Sequence, residues 1–264
     1  MKKILAFDVD QTLNVAKTPI TDEIADLLTQ CLNHFEICPV SGQKFDQFLI
    51  QIVNRLQHAT PEQLTHLHLF VAQGTQYYRY NPTANGNDGT TYDQNNWEQV
   101  YNYPLTEAQI TKISHALETA AKELDLWEAD QLAPGDEIIE NRLSQVTFSA
   151  LGQKAGTEAK YAWDPDHVKR DKIAARAKEI APEFEYEVAG TTSINAVTPG
   201  MNKSFGMTHM LEELQAEKSD ILYFGDMTQP GGNDYPVVEM GFDVITVRSH
   251  EDTSFALQGI LGVM

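Results

Sequence analysis

Short apolar runs and amphipathic stretches alternate along the first quarter of the chain. Residues 3–9 are an apolar run closed by acidic and turn residues, which reads as a buried strand. Thr21, Asp22 and Glu23 supply a cap and first-turn acids for a helix whose apolar face is Ile24, Leu27, Leu28 and Leu32. Residues 35–40 read as a second strand and 67–71 as a third. Between them a second helix carries Phe45, Phe48, Leu49, Ile52, Val53 and Leu56 at three- and four-residue spacing. Strands alternating with helices in this way predict a parallel sheet covered on both faces.

After Arg79 the pattern changes. Residues 81–96 are rich in Asn, Gly, Thr and Pro and read as a loop or a long hairpin connection. A helix is expected over 106–125, an alternating run over 137–148, a charged helix over 164–180 and a strand over 183–188. That mixture predicts a small α+β unit with an antiparallel sheet. From about Thr192 the α/β alternation resumes, with a helix opening at Lys203 and buried strands at 221–224 and 243–247. The simplest organisation is a Rossmann-like α/β core, 1–81 and 192–264, interrupted by an inserted α+β domain, 82–191.

Composition narrows the partners. The chain has 264 residues, with 19 Lys and Arg against 38 Asp and Glu, a formal charge of −19. Such acidity argues against nucleic acid and against an anionic membrane as partners, since both are held by clustered cations. A protein of this charge that handles phosphate esters needs a metal ion or a few placed cations to overcome its own field. Cys31 and Cys38 show no framework or metal-ligand spacing and read as buried thiols in a reducing compartment. The apolar run after Lys2 and Lys3 ends at Asp8, too short for a signal sequence. A cytoplasmic location is expected.

Candidate chemistry gathers at strand ends. Asp8 and Asp10 close the first strand, at the edge where open α/β sheets bind ligands. Alone the pair would read as turn acids. Asp226 closes a second buried strand, and two such acids at one edge form an oxygen-ligand site that suits Mg2+. Ser41 and Gly42 end another strand with a hydroxyl and a backbone N–H ready for a phosphate oxygen, and Lys203 adds a point charge. His66 and His68 share one face of a strand without an evident third ligand. Tyr77, Tyr78 and Tyr80 read as packing.

In this order, Asp8-Val9-Asp10-Gln11-Thr12, Ser41, Lys203 and Gly225-Asp226 with Asn233-Asp234 resemble the four motifs of the haloacid dehalogenase superfamily of phosphotransferases. The large insertion between the Ser and Lys motifs is similar to the type IIB cap. The run 224–234, Phe-Gly-Asp-Met-Thr-Gln-Pro-Gly-Gly-Asn-Asp, looks like that of the eukaryotic-type phosphomannomutases. The resemblance implies Asp8 as nucleophile and Asp10 as general acid/base, with Ser41 and Lys203 holding phosphoryl oxygens. It implies a Mg2+ site of Asp8, the Asp10 carbonyl and Asp226, with Asn233 and Asp234 behind them or Asp234 as an occasional ligand. The Lys203 charge and the metal would favour the ionised form of Asp8. Gly42 and the cap residues Arg142, Gln153, Lys160, Ser193 and Asn195 would bind substrate. The mutase relatives dimerise through their caps, so a homodimer is the corresponding expectation, although no apolar stripe marks it.

Departures from the family pattern shift the expected activity. Gln11 stands where the family has Gly; a negative φ would let it stand there, with its side chain toward the site mouth. The family's three cap arginines become Arg142, Gln153 and Lys160, and its Asp becomes Asn195. Gln and Lys grip a distal phosphate less well than the arginine fork, although Lys154 could compensate. The leading expectation is therefore a Mg2+-dependent phosphohydrolase of a small sugar phosphate, working through an aspartyl-phosphate beneath a closing cap. The runner-up is a phosphomannomutase interconverting mannose 1-phosphate and mannose 6-phosphate, and the third is an inactive sugar-phosphate-binding relative.

Overall fold

The structure, a computed structural model, describes residues 2–15, 17–86 and 93–264. Met1 and residues 87–92 of the expected 81–96 connection lie outside the described residues. Along the chain come β1 (Ile4–Phe7), α1 (Asp22–Cys31), β2 (Glu36–Pro39), α2 (Phe45–Gln51), α3 (Pro61–Leu64), β3 (His68–Val71), β4 (Gln76–Tyr80) and β5 (Trp97–Asn102). There follow α4 (Glu107–Glu123), β6 (Ile139–Asn141), β7 (Val146–Ser149), α5 (Thr157–Trp163), α6 (Val168–Ile180), β8 (Glu185–Ala189) and β9 (Ser193–Val197). The chain ends with α7 (Lys203–Glu213), β10 (Ile221–Gly225), α8 (Tyr235–Glu239), β11 (Asp243–Thr246) and α9 (His250–Leu261).

Two compact units result, 1–102 with 202–264, and 103–201. In the first, a parallel sheet runs in the order β11-β10-β1-β2. Its strands read as continuous apolar runs because both faces are buried. Leu5 and Phe7 join a core that includes Ile24 and Leu28 of α1, while Ile4 and Ala6 join one that includes Met207 and Met210 of α7. The parallel bridges Ile37 to Leu67 and Val40 to Phe70 attach the β3 segment to β2. β3 also opens an antiparallel ribbon with β4 and β5. This ribbon keeps the chain in the first unit to Asn102, past the expected exit at 81. Tyr77 stacks on Phe70 and Tyr78 on Phe45, with centroids 4.8 and 4.0 Å apart, so these tyrosines are packing residues.

The second unit is a four-stranded antiparallel sheet in the order β6-β7-β9-β8. Val146, Phe148, Ile194 and Ala196 on one face share a core with Ile113 and Leu117 of α4 and Ile173 and Ala177 of α6. The expected run at 137–148 is the β6–β7 hairpin. The α/β alternation resumes later than Thr192: β9 is an inner strand of this antiparallel sheet, paired on both sides. The expected helix at 45–56 breaks at Ile52 and ends in a 3-10 turn, Val53–Arg55. Among the described residues no helix is long and apolar enough to cross a membrane.

Candidate active site

Parallel neighbours bring their carboxyl ends to one edge. Phe7 pairs with both Phe224 and Pro39, so Asp8 stands level with Gly225 and Val40, and Asp226 and Ser41 lie one residue further along. The Asp8 N–H donates to the Phe224 carbonyl at 2.8 Å, holding the turn to the sheet. Lys203 reaches this edge from the first position of α7, where Asn202 caps the helix by accepting from the Ser204 N–H at 2.9 Å. Close approach of α7 depends on two glycines. A Cβ on Gly206 would lie 2.8 Å from the Gln73 carbonyl oxygen, and one on Gly74 2.2 Å from the Gly206 Cα.

Lys203, only 1% exposed, donates to Asp8 Oδ1 and, at 2.5 Å, to Asp234 Oδ1. The same Asp234 oxygen accepts from the Tyr223 hydroxyl at 2.5 Å, and Asp234 Oδ2 accepts from the Met227 N–H at 3.0 Å. Gly225 leaves room for this carboxyl, since a Cβ there would meet Asp234 Cγ at 2.6 Å. Asp8, Asp226 and Asp234 each present an oxygen within 4.8 Å of the others.

The charges explain one another. Burial raises the Asp8 carboxyl well above its ordinary value, against the pull of Lys203 and with the push of Asp234 and Asp226. Burial, with Asp234, pushes Asp226 up to about 6. Burial opposes ionisation of Asp234 too, but Lys203, Tyr223 and the Met227 N–H outweigh it and hold this carboxyl low. Burial would lower Lys203, yet Asp234 and Asp8 keep its ammonium well above the ordinary value. Lys203 therefore pulls Asp8 toward its ionised form, as expected, but by itself does not outweigh burial and the neighbouring acids. With all three carboxyls ionised, the single ammonium would leave two negative charges to be met, which fits a divalent cation bound by oxygen.

The other expected residues divide. Ser41 is buried, and its Oγ accepts from the Gln43 N–H at 3.4 Å, beside the half-buried Gly42. The Asp10 carboxylate is not one of the three that converge; its Oδ1 accepts from the Lys17 N–H at 2.8 Å. Asn233 precedes Asp234 with a buried, unpartnered Oδ1. Gln11 has φ +66°, so the condition of a negative φ is not met and it holds a turn that glycine would take without strain.

In the second unit, Arg142 is buried and paired with Glu140 at 2.7 Å. Asn195 Oδ1 accepts from the Thr147 hydroxyl at 2.9 Å, on the sheet face where Ser193 pairs with Ser149. Lys160 Nζ donates to the Gln153 carbonyl at 2.7 Å, and burial lowers its pKa against the attraction of Asp136. The Lys154 ammonium donates to the carbonyls of Pro134 and Gly135, at 3.0 and 3.1 Å, rather than supplying a ready distal grip.

Two features were not legible in the sequence. Tyr223 read as one more apolar strand residue, and only its neighbour Asp234 shows what the hydroxyl does. His66 and His68 do find a common third group, since Glu36 on β2 reaches them at 3.0 and 2.7 Å. They line a cavity of about 670 Å3 with Lys3 and Ile4 at the amino end of β1, the opposite edge from Asp8. No close three-ligand set forms there; among the described residues only the aspartate trio does so.

The family model for eukaryotic phosphomannomutase matches residues 57–263, most of the chain and the whole stretch carrying Lys203, Asp226 and Asp234. The chain belongs to the eukaryotic phosphomannomutase family. Within this family it is similar to the phosphomannomutase of Saccharomyces cerevisiae, 24% identical over 95% of this chain and 91% of that protein. Among solved structures, the N-terminally truncated IMP-nucleotidase of Plasmodium falciparum superposes with a TM-score of 0.69 at 15% identity, covering 98% of this chain and 70% of that one. A haloacid dehalogenase-like hydrolase from Bacteroides thetaiotaomicron gives 0.60 at 13% identity, covering 98% and 100%. These structures share the fold. The family member described here is an enzyme of the phosphotransferase kind, with the fold of a haloacid dehalogenase-like hydrolase.

Proposed function

We propose that the chain is a phosphohydrolase of a small sugar phosphate that works through an aspartyl-phosphate. The observation that carries the reaction class is Lys203 bridging Asp8 and Asp234 beside Asp226. Asp8 attacks phosphorus as its ester P–O bond breaks, and the Asp10 carboxyl gives its proton to the leaving oxygen. Asp10, now ionised, takes a proton from water as that water displaces Asp8, releasing phosphate. Lys203 and Ser41 hold phosphoryl oxygens throughout, where positioning and charge neutralisation contribute most of the catalysis. Mg2+ held by Asp8, Asp226 and the Asp10 carbonyl would neutralise phosphoryl charge.

Hydrolysis is favoured over isomerisation by the cationic positions of the second unit. A mutase needs grip for a second phosphate, and here Arg142 is neutralised by Glu140 while Lys160 and Lys154 are turned to backbone carbonyls. Family membership supports the second reading, interconversion of mannose 1-phosphate and mannose 6-phosphate. Phosphorus NMR with Mg2+, mannose 1-phosphate and a trace of hexose bisphosphate separates them. Phosphate accumulating faster than any hexose 6-phosphate, and stopped by Asp8→Asn, is the expected result. Ester interconversion without phosphate release would overturn hydrolysis in favour of the mutase. A homodimer and a cytoplasmic location complete the proposal, and sedimentation velocity checks the first.

A further inference from the structure

The loop after β3 carries costs that phosphoryl transfer itself does not explain. Ala72 and Gln73 both stand at positive φ, 49° and 64°, a region that strains any residue but glycine. Gln73 is 2% exposed and Gln43 4%. The side-chain oxygen of Gln73 and both polar atoms of the Gln43 amide have no hydrogen-bond partner. Buried amides are nearly always paired, and a core position without a polar task is better filled by an apolar side chain.

These two residues adjoin the phosphate-holding groups. The Gln73 N–H donates to the Ser41 carbonyl at 2.9 Å, and the Ala72 N–H to the Gln43 carbonyl at 3.1 Å. The Gln43 N–H points at Ser41 Oγ, and the Gln73 carbonyl lies against Gly206, one turn beyond Lys203. Backbone strain at Ala72 and Gln73 and unmet amide atoms of Gln43 and Gln73 meet where two adjoining loops, after β2 and after β3, border a ligand-binding edge, and together they mark a place completed by ligand. The unused atoms define its chemistry. Two are acceptors, Gln43 Oε1 and Gln73 Oε1, and one is a donor, Gln43 Nε2. A phosphoryl dianion offers no donor and would leave both oxygens unmet, whereas a hydroxyl both donates and accepts.

We propose that Gln43 and Gln73 bind hydroxyl groups of the alcohol portion of the phosphate ester, selecting polyhydroxylated leaving groups. The inference rests on the proposed function for the presence of an ester at Ser41 and Lys203. Titration calorimetry in an Asp10→Asn background, which slows turnover, compares orthophosphate with mannose 1-phosphate and glucose 6-phosphate in the presence of Mg2+. Gln43→Met keeps the side-chain shape without its hydrogen bonds, and Gln73→Gly removes the side chain at a φ that glycine takes freely. Each variant should weaken hexose phosphate binding by about 3–10-fold, the size of one hydrogen bond, and leave orthophosphate within about twofold. Esters bound no more tightly than orthophosphate overturn the inference. So do variants that weaken both ligands equally, or neither, the last meaning that ordered water satisfies the amides. Phosphate release by the wild-type protein is read separately: hexose discrimination without turnover would sink the phosphohydrolase and leave this inference standing.

Discussion

Replacing Lys203 by methionine tests the electrostatics at the centre of the site. Methionine fills most of the lysine stem's volume, so packing changes little and the loss is one of charge. Lys203 bridges two buried carboxylates, and removing one partner of such a group costs about 3–5 kcal/mol because the remaining charge is left uncompensated. That lies below the total of about 5–15 kcal/mol expected of a folded domain, so the variant should still fold. The cost should depend on pH. Without Lys203 the folded-state pKa values of Asp8 and Asp234 rise, while in the unfolded chain both titrate near 4. A raised carboxyl contributes its full stability below the unfolded value and loses it as pH climbs through the folded one. The deficit against wild type should therefore be small near pH 4.5 and reach its full size by pH 7.5. Urea unfolding followed by circular dichroism at the two pH values measures it, and Mg2+ at pH 7.5 should recover part of the loss by mass action. A deficit below about 1 kcal/mol at pH 7.5, or one equal at both pH values, would refute the account of Lys203 as the charge that holds the buried aspartates.

Three further outcomes are expected. Tyr223→Phe removes a buried donor to Asp234, costing about 1 kcal/mol, and loosens the partner that orients Lys203. Its kcat should fall severalfold with KM little changed, and a wild-type kcat would show that Lys203 is oriented without it. Gln11→Gly relieves the left-handed strain of about 1–2 kcal/mol, offset partly by added freedom of the unfolded chain, so the unfolding midpoint should rise. A lower midpoint would show that contacts of the Gln11 side chain outweigh the strain. Asp226, pushed up to about 6, is protonated at pH 5 and ionised at pH 8, so Mg2+ should raise the unfolding temperature more at pH 8. A shift independent of pH would argue against the aspartate trio as the metal site.

Much of this protein is readable from residue patterns. The buried strands ending in Asp8, Ser41 and Asp226 follow from apolar runs closed by polar residues, and Thr21 and Thr106 cap the helices they precede. The β4–β5 ribbon was less legible, because its strands hold polar residues and flank a long connection. Position 193–197 was misread for a similar reason. β9 carries the apolar alternation of any half-buried strand, and only its pairing with β7 and β8 assigns it to the antiparallel sheet.

The sequence by itself determined the class of chemistry, since acids, a hydroxyl and a lysine at the ends of buried strands are local signals in a fixed order. Tertiary structure alone decided how those groups share charge. Which carboxylates converge, that Asp234 joins Asp8 and Asp226 while the Asp10 side chain turns to Lys17, depends on parallel register and on the approach of α7 across Gly74 and Gly206. The same is true of the Tyr223 hydroxyl, the unmet amides of Gln43 and Gln73, and the left-handed turn at Gln11. Each arises from contacts between residues far apart in the chain or from a backbone angle imposed by its surroundings, and neither is written in local composition.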